Sequence, residues 1–247
     1  MILRRVIEHV KAQNWLAVGL DFVIVVIGVF IGIQVSNWND GRAANVQEAA
    51  VLAQLEDEFS EIQNALERQI RVRRTYIADL KSLIAGLEGS GPIPDELVVQ
   101  RALVAARATG RRPAQSAAYL QLMANGELAR LSNDDLKKAL IRYHARLERD
   151  AFIFPELMRM VVTEMSSNPF VDLDASAPTP SGAVIDNEHE TANQRAGGIR
   201  SYDFDGLRQF EQRYEALLAM HTNLADTDQT QLELANEILR QIPRSGE

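Results

Sequence analysis

The sequence predicts an all-α protein. An N-terminal transmembrane helix continues into a long helix, followed by an antiparallel helical bundle with a long loop before its last helix. Three observations carry this prediction. Residues Phe22 to Ile33 contain only apolar side chains and glycine. Apolar residues then recur at spacings of three and four along two stretches, 52–87 and 207–242, the signature of a helix face. No segment shows the two-residue alternation strongly enough to form a sheet.

Residues 15–36 are expected to be the transmembrane helix. A spanning helix needs about 20 mostly apolar residues, because the hydrocarbon core is about 30 Å thick. Trp15 and Trp38 bracket the segment. Tryptophan anchors at membrane interfaces, where its ring is buried and its N–H stays wet. Arg4 and Arg5 suit a signal peptide, but the sequence after Ile33, QVSNWNDG, offers no good small-x-small cleavage site. A buried soluble helix fits less well, since residues 23–33 present no polar face. Arg4, Arg5 and Lys11 precede the span, whereas residues 37–55 carry only Arg42. By the preference of basic residues for the cytoplasmic side, the N-terminus is expected in the cytoplasm. The rest of the chain is then expected in the periplasm, with the span in a bacterial inner membrane. Residues 1–14 place Ile2, Leu3, Val6, Ile7 and Val10 at helical spacing, as a cytoplasmic amphipathic segment or a frayed tail.

The span has a distinct face. At 100° per residue, Gly28 falls about 20° to one side of Asp21, Gly32 about 20° to the other, and Asn39 in line with it. Small or polar residues therefore form one stripe, Asp21, Gly28, Gly32 and Asn39. Gly28-x-x-x-Gly32 is a spacing that lets membrane helices approach closely. The stripe is expected to face another membrane helix, from a second copy or from a different protein. An ionisable group inside a span points to function, such as a proton or cation relay. Asp21 lies close enough to Trp15 to reach the inner headgroups instead.

An extracytoplasmic helical domain is expected over residues 37–167, beginning with a long helix over 37–88. Its seam is Leu52, Leu55, Phe59, Ile62, Leu66, Tyr76, Leu80, Leu83 and Leu87, with polar Gln69 and Arg73 at two seam positions. Gly86, Gly89, Gly91 and Pro92 end it. Pro94 starts a helix over Asp95–Ala108. The next, Gln115–Asn125, stops at Gly126, the residue type best suited to a left-handed cap. Ser132 or Asn133 caps a helix running through Leu136, Leu140, Tyr143 and Leu147 to about Met165, with Pro155 expected to kink it. Residues 168–205 are rich in Pro, Gly, Ser, Asn and Asp, and read as a surface loop. Loops of that length are usually functional or disordered. The C-terminal helix, 206–242, repeats the seam from Leu207 to Ile242 and carries His221 and Asp228 at seam positions. Gln69, Arg73, His221 and Asp228 are therefore candidates for a buried polar layer, or for the solvated edge of a bundle.

These residues resemble a bacterial family of small single-pass membrane proteins of unknown function. The likeness rests on Asp21 to Asn39, with VVIG, IGIQ and NWN. It rests also on Tyr119 to Leu128 (YLQLMANGEL), Leu131-Ser-Asn133-Asp-Asp-Leu136 and Arg142-Tyr143. It covers residues 15–165. The family usually has glutamate where this chain has Asp21, and serine where it has Asn125. The resemblance implies topology and brings no chemistry with it.

The chain has 247 residues, a net charge of −8 and no cysteine, which excludes disulfides, thiolate zinc sites and cysteine nucleophiles. An acidic chain with scattered basic residues is a poor partner for nucleic acid. Its four histidines, His9, His144, His189 and His221, make no HExxH pair. Glu188-His189-Glu190 reads as a solvated loop triplet. Asp172-x-Asp174-x-Ser176 has Ala177 and Ala183 where a calcium loop needs glycine and glutamate. No nucleophile-elbow, phosphate-loop or dinucleotide motif occurs. The sequence thus predicts no catalytic residue, cofactor or metal. The expected function is a non-enzymatic, membrane-anchored helical module that touches lipid and oligomerises or binds a partner in the envelope. The alternatives are an ion-coupled accessory subunit using Asp21 and a ligand-sensing helical bundle.

Overall fold

The computed structural model describes residues 15–105, 115–165, 168–174, 176 and 198–243. The segment 1–14 and the Glu188-His189-Glu190 triplet lie outside the described residues, as do the side chains of Trp15 and Asp21. The chain divides into two units after Val51.

The described part of the first unit is the start of helix α1, which runs from Trp15 to Glu88. Residues 22–35 are exposed along the helix. A single helix covers the two expected stretches, 15–36 and 37–88, without a break. Gly89 ends it in the left-handed region, at a φ of 77°, and the Gly91 N–H donates to the Ala85 carbonyl at 3.0 Å.

The second unit holds the bundle. Helix α2 spans Glu96–Ala105 and α3 spans Ala117–Ala124. A 3₁₀ turn, Leu128–Arg130, precedes α4, Asp134–Met165. Ser116 caps α3 by accepting the Tyr119 N–H at 3.1 Å. Gly126, at a φ of 67°, closes α3 through Gly126 N–H to Met123 and Glu127 N–H to Leu122, the paired bonds that satisfy terminal carbonyls. Asn133 is the cap of α4, accepting from the amides of Asp135 and Leu136. The helix assignment continues through Pro155.

The chain returns through α5, Phe204–Leu207, a 3₁₀ turn, Arg208–Phe210, and α6, Glu211–Gln241. Cross-links between α1 and α6 run in opposite chain order: Gln63 to Asn236, Gln69 to Asp228, and Leu87 to Arg208 just before α6. The two helices are therefore antiparallel. The bonds Asn133 to Gln241, Arg142 to Glu237, and Asp150 to Gln231 set α4 antiparallel to α6 in the same way. The core is the predicted seam: Leu55, Phe59, Leu80, Leu83 and Leu87 of α1 are fully buried, as are Tyr214, Leu217, Ala235 and Ile238 of α6.

The expected loop 168–205 contains a sheet that the sequence did not predict. Strands β1, Val171–Asp174, and β2, Gly198–Tyr202, pair antiparallel with Val171 opposite Tyr202 and Asp174 opposite Gly198. The register shifts between Asp172 and Leu173. Arg200 stands at that irregularity and bonds Asp174 at 2.9 Å, with Asp172 at 3.6 Å. Two short strands far apart in the chain leave no local turn signal, and their stability comes from packing on the helices. Phe170, Val171, Ile199 and Tyr202 all join the core that Tyr76, Leu83 and Tyr214 build.

Gly206 makes that docking fit. A Cβ placed there would stand 2.1 Å from Phe170 Cδ1. Gly206→Ala is expected to lower stability by about 1–3 kcal/mol, the usual cost of overfilling a packed core. Urea unfolding followed by circular dichroism checks it; an unchanged midpoint would show that Phe170 does not need this seat.

Candidate functional site: a buried polar layer

Gln69 and Arg73 stand one turn apart on α1, inside an otherwise apolar seam. Asp228 and His221 do the same on α6, two turns apart. Antiparallel packing brings the four together. The Gln69 Nε2 donates to Asp228 Oδ1 at 2.8 Å, and the Arg73 Nε donates to Asp228 Oδ2 at 2.7 Å. A guanidinium nitrogen of Arg73 lies 3.3 Å from His221 Nδ1, and His221 Nε2 lies 2.9 Å from the carbonyl of Ala105 at the end of α2. The Tyr76 ring tilts against His221 at 5.5 Å between centroids. All four polar side chains are buried, and His221 is wholly so.

The partners fix the state of His221. A carbonyl only accepts, so Nε2 carries the proton. A guanidinium only donates, so Nδ1 must offer its lone pair. The ring is therefore neutral. Burial holds its pKa down to about 4, opposed by the Ala105 bond and reinforced by the Arg73 charge. Burial also pushes the Asp228 carboxyl above the ordinary range, while Arg73 and Gln69 oppose the shift. Both carboxylate oxygens and both ring nitrogens already have protein partners. Chemically the layer is suited to holding α1, α2 and α6 in one register. A slip of α6 along α1 would bury two charges without partners, at a cost of several kcal/mol each.

A second histidine lies in the α1–α3–α4 packing. His144 of α4 is buried and stacks flush on Tyr119 of α3, with centroids 3.7 Å apart and planes at 9°. Tyr143 meets it edge-on at 5.4 Å. Its Nε2 finds no hydrogen-bond partner among the described residues. Burial lowers its pKa to about 4, with the Glu58 carboxylate opposing. Glu58 itself accepts the Ala118 N–H at 3.2 Å, at the start of α3. The sequence reading gave His144 no role. Its only signal was its place four residues after Leu140, on the buried stripe of α4.

The other predicted residues fall as follows. Trp38 is exposed, and a Cβ added at Gly28 or Gly32 would meet nothing within 4 Å. Asn39 is exposed on the same helix. Acidic Glu88, Glu211 and Glu215 gather with their oxygens within 4.8 Å of one another, a surface cluster that the sequence spacing conceals. Asp79 and Arg101 pair through two bonds of 2.6 and 2.8 Å, tying α2 to α1.

Comparison with known protein families, with curated proteins and with solved structures returned no match. Among the described residues, one helix is long and apolar enough to cross a membrane.

Proposed function

We propose that the protein is a membrane-anchored helical module of the bacterial cell envelope that works by association. Its N-terminus lies in the cytoplasm, its span sits in the inner membrane, and its bundle lies in the periplasm. Its partner is a second copy of the chain or another membrane protein. The observation that carries this reading is the surface of residues 22–35. Every large apolar side chain there is between 48% and 69% exposed. A continuous apolar surface of that kind needs hydrocarbon or another helix against it. The open Gly28 and Gly32 positions supply the close approach that a helix pair requires. The saturated polar layer supports a scaffold role, since its groups hold one another.

Two measurements test it. The natural chain lacks cysteine. A single Lys138→Cys is therefore expected to react with an impermeant maleimide in intact spheroplasts, while His9→Cys reacts only after lysis. The opposite pattern would overturn the orientation. In mild detergent the chain is expected to crosslink to itself or to a membrane partner. Gly28→Leu should weaken that complex roughly tenfold, about 1.4 kcal/mol. A strict monomer that the substitution leaves unaffected would remove the association reading.

A further inference from the structure

We propose that α3 is an acid-released element: protonation of His144 detaches it from α1 and α4 while the α1–α6 pair stays closed. This inference does not depend on the membrane topology. It starts from the imidazole's surroundings. From α3, Tyr119 covers one face of the ring. From α4, Tyr143 meets it edge-on. From α1, Glu58 is the charged group acting on it. Glu148 acts on Tyr119, where it favours the neutral phenol.

The neutral ring suits this site and the charged ring does not. An imidazolium carries N–H groups on both nitrogens. Whichever tautomer is present at neutral pH, charging the ring leaves Nε2 as a donor with no acceptor among the described residues and no access to water. Glu58 and the Tyr119 face both favour the cation, the latter by about 0.5–2 kcal/mol. An unsatisfied buried charge costs several kcal/mol and outweighs them. The site can relieve that cost only by opening to water.

Of the elements around His144, α3 is the one that can move. It spans Ala117–Ala124, too short to persist as an isolated helix. Its attachments are the Tyr119 stack, the Glu58 bond to the Ala118 amide, and burial of Ala118, Tyr119 and Leu122. By contrast, α1, α4 and α6 share the long seam from Leu55 to Leu87. Release of α3 frees the ring face of His144 and exposes Tyr119 and Leu122 as a new apolar surface.

Hydrogen exchange of the full chain in detergent at pH 7.5 and 4.5, corrected for intrinsic rates, reads this out. Linkage between a buried imidazole titrating near 4 and a free one near 6.5 makes the open state on the order of 50-fold more favourable at pH 4.5. Protection of the Tyr119–Ala124 amides should fall by that order and lie below that of the Leu217–Leu224 amides of α6 at both pH values, because α6 exchanges only through global opening. His144→Phe keeps the stack and removes the titration, so its α3 protection should match at both pH values. Should that variant fail to fold, Glu58→Gln serves instead: it removes the carboxylate that favours the cation in the closed state and weakens the Ala118 attachment, so it should move α3 release to higher pH. Protection of α3 that ignores pH in the wild type overturns the proposal. So does an undiminished loss in His144→Phe, a release that Glu58→Gln leaves in place or moves to lower pH, or equal protection of the α3 and α6 amides at pH 4.5.

Discussion

Arg73→Met is expected to lower the unfolding free energy by about 3–5 kcal/mol, as measured by denaturant titration of the full chain in detergent. The side chain it removes is 3% exposed and bonds an Asp228 side chain that is 5% exposed. The loss is dominated by what remains. Asp228 keeps only its Gln69 bond, and His221 Nδ1 loses its donor. Removing both charges should be much milder. Arg73→Met with Asp228→Leu is expected to recover at least half of the single-variant loss, because no buried charge is left unpaired. Additive losses in the double variant would show that the two side chains do not act as a pair.

Lowering the pH from 7 to 4.5 is expected to weaken the whole fold by about 2 kcal/mol through His221. Its folded pKa of about 4 lies below the ordinary value of 6.5. The unfolded chain therefore binds the proton first as pH falls. Stability is intact above about 6.5, declines by at most about 1.4 kcal/mol per pH unit, and levels off below 4. Asp228 works in the other direction. Its folded carboxyl is raised, so its contribution is present at low pH and is lost as pH rises through that value, which softens the decline at its acid end. His221→Phe should cost stability at every pH, since Arg73 and Ala105 each lose a partner, yet flatten the dependence. A slope as steep as the wild type's would assign the acid sensitivity elsewhere. Full unfolding frees His144 as well, so His221→Phe should remove about half of the slope, while local exchange of α3 reports His144 alone.

The long helices were legible because their physics is local. A seam such as Leu55-Phe59-Ile62-Leu66 identifies itself by spacing, and glycine at 89 or 126 marks a stop by its tolerance of positive φ. The cap at Asn133 was legible down to a choice between two neighbours. The polar layer was half legible. Gln69, Arg73, His221 and Asp228 announce themselves as polar residues on apolar stripes, but their pairing depends on the offset between helices more than a hundred residues apart. The carbonyl of Ala105, which settles the state of His221, has no sequence signal at all. His144 was missed because its defining property is a missing partner, which only packing reveals. The sheet was missed because Val171–Asp174 and Gly198–Tyr202 are held by Phe170, Ile199 and Arg200 contacts that no turn motif advertises.

That small ladder also has a use as an insertion point. It clamps Asp174 opposite Gly198, so the two ends of any segment inserted between the strands are held together. For a flexible connection, doubling the length adds about 0.6 kcal/mol of closure entropy. Fluorescent, epitope or affinity segments placed between these strands can therefore report on the protein from within its chain, leaving the span and the helical seams as they are.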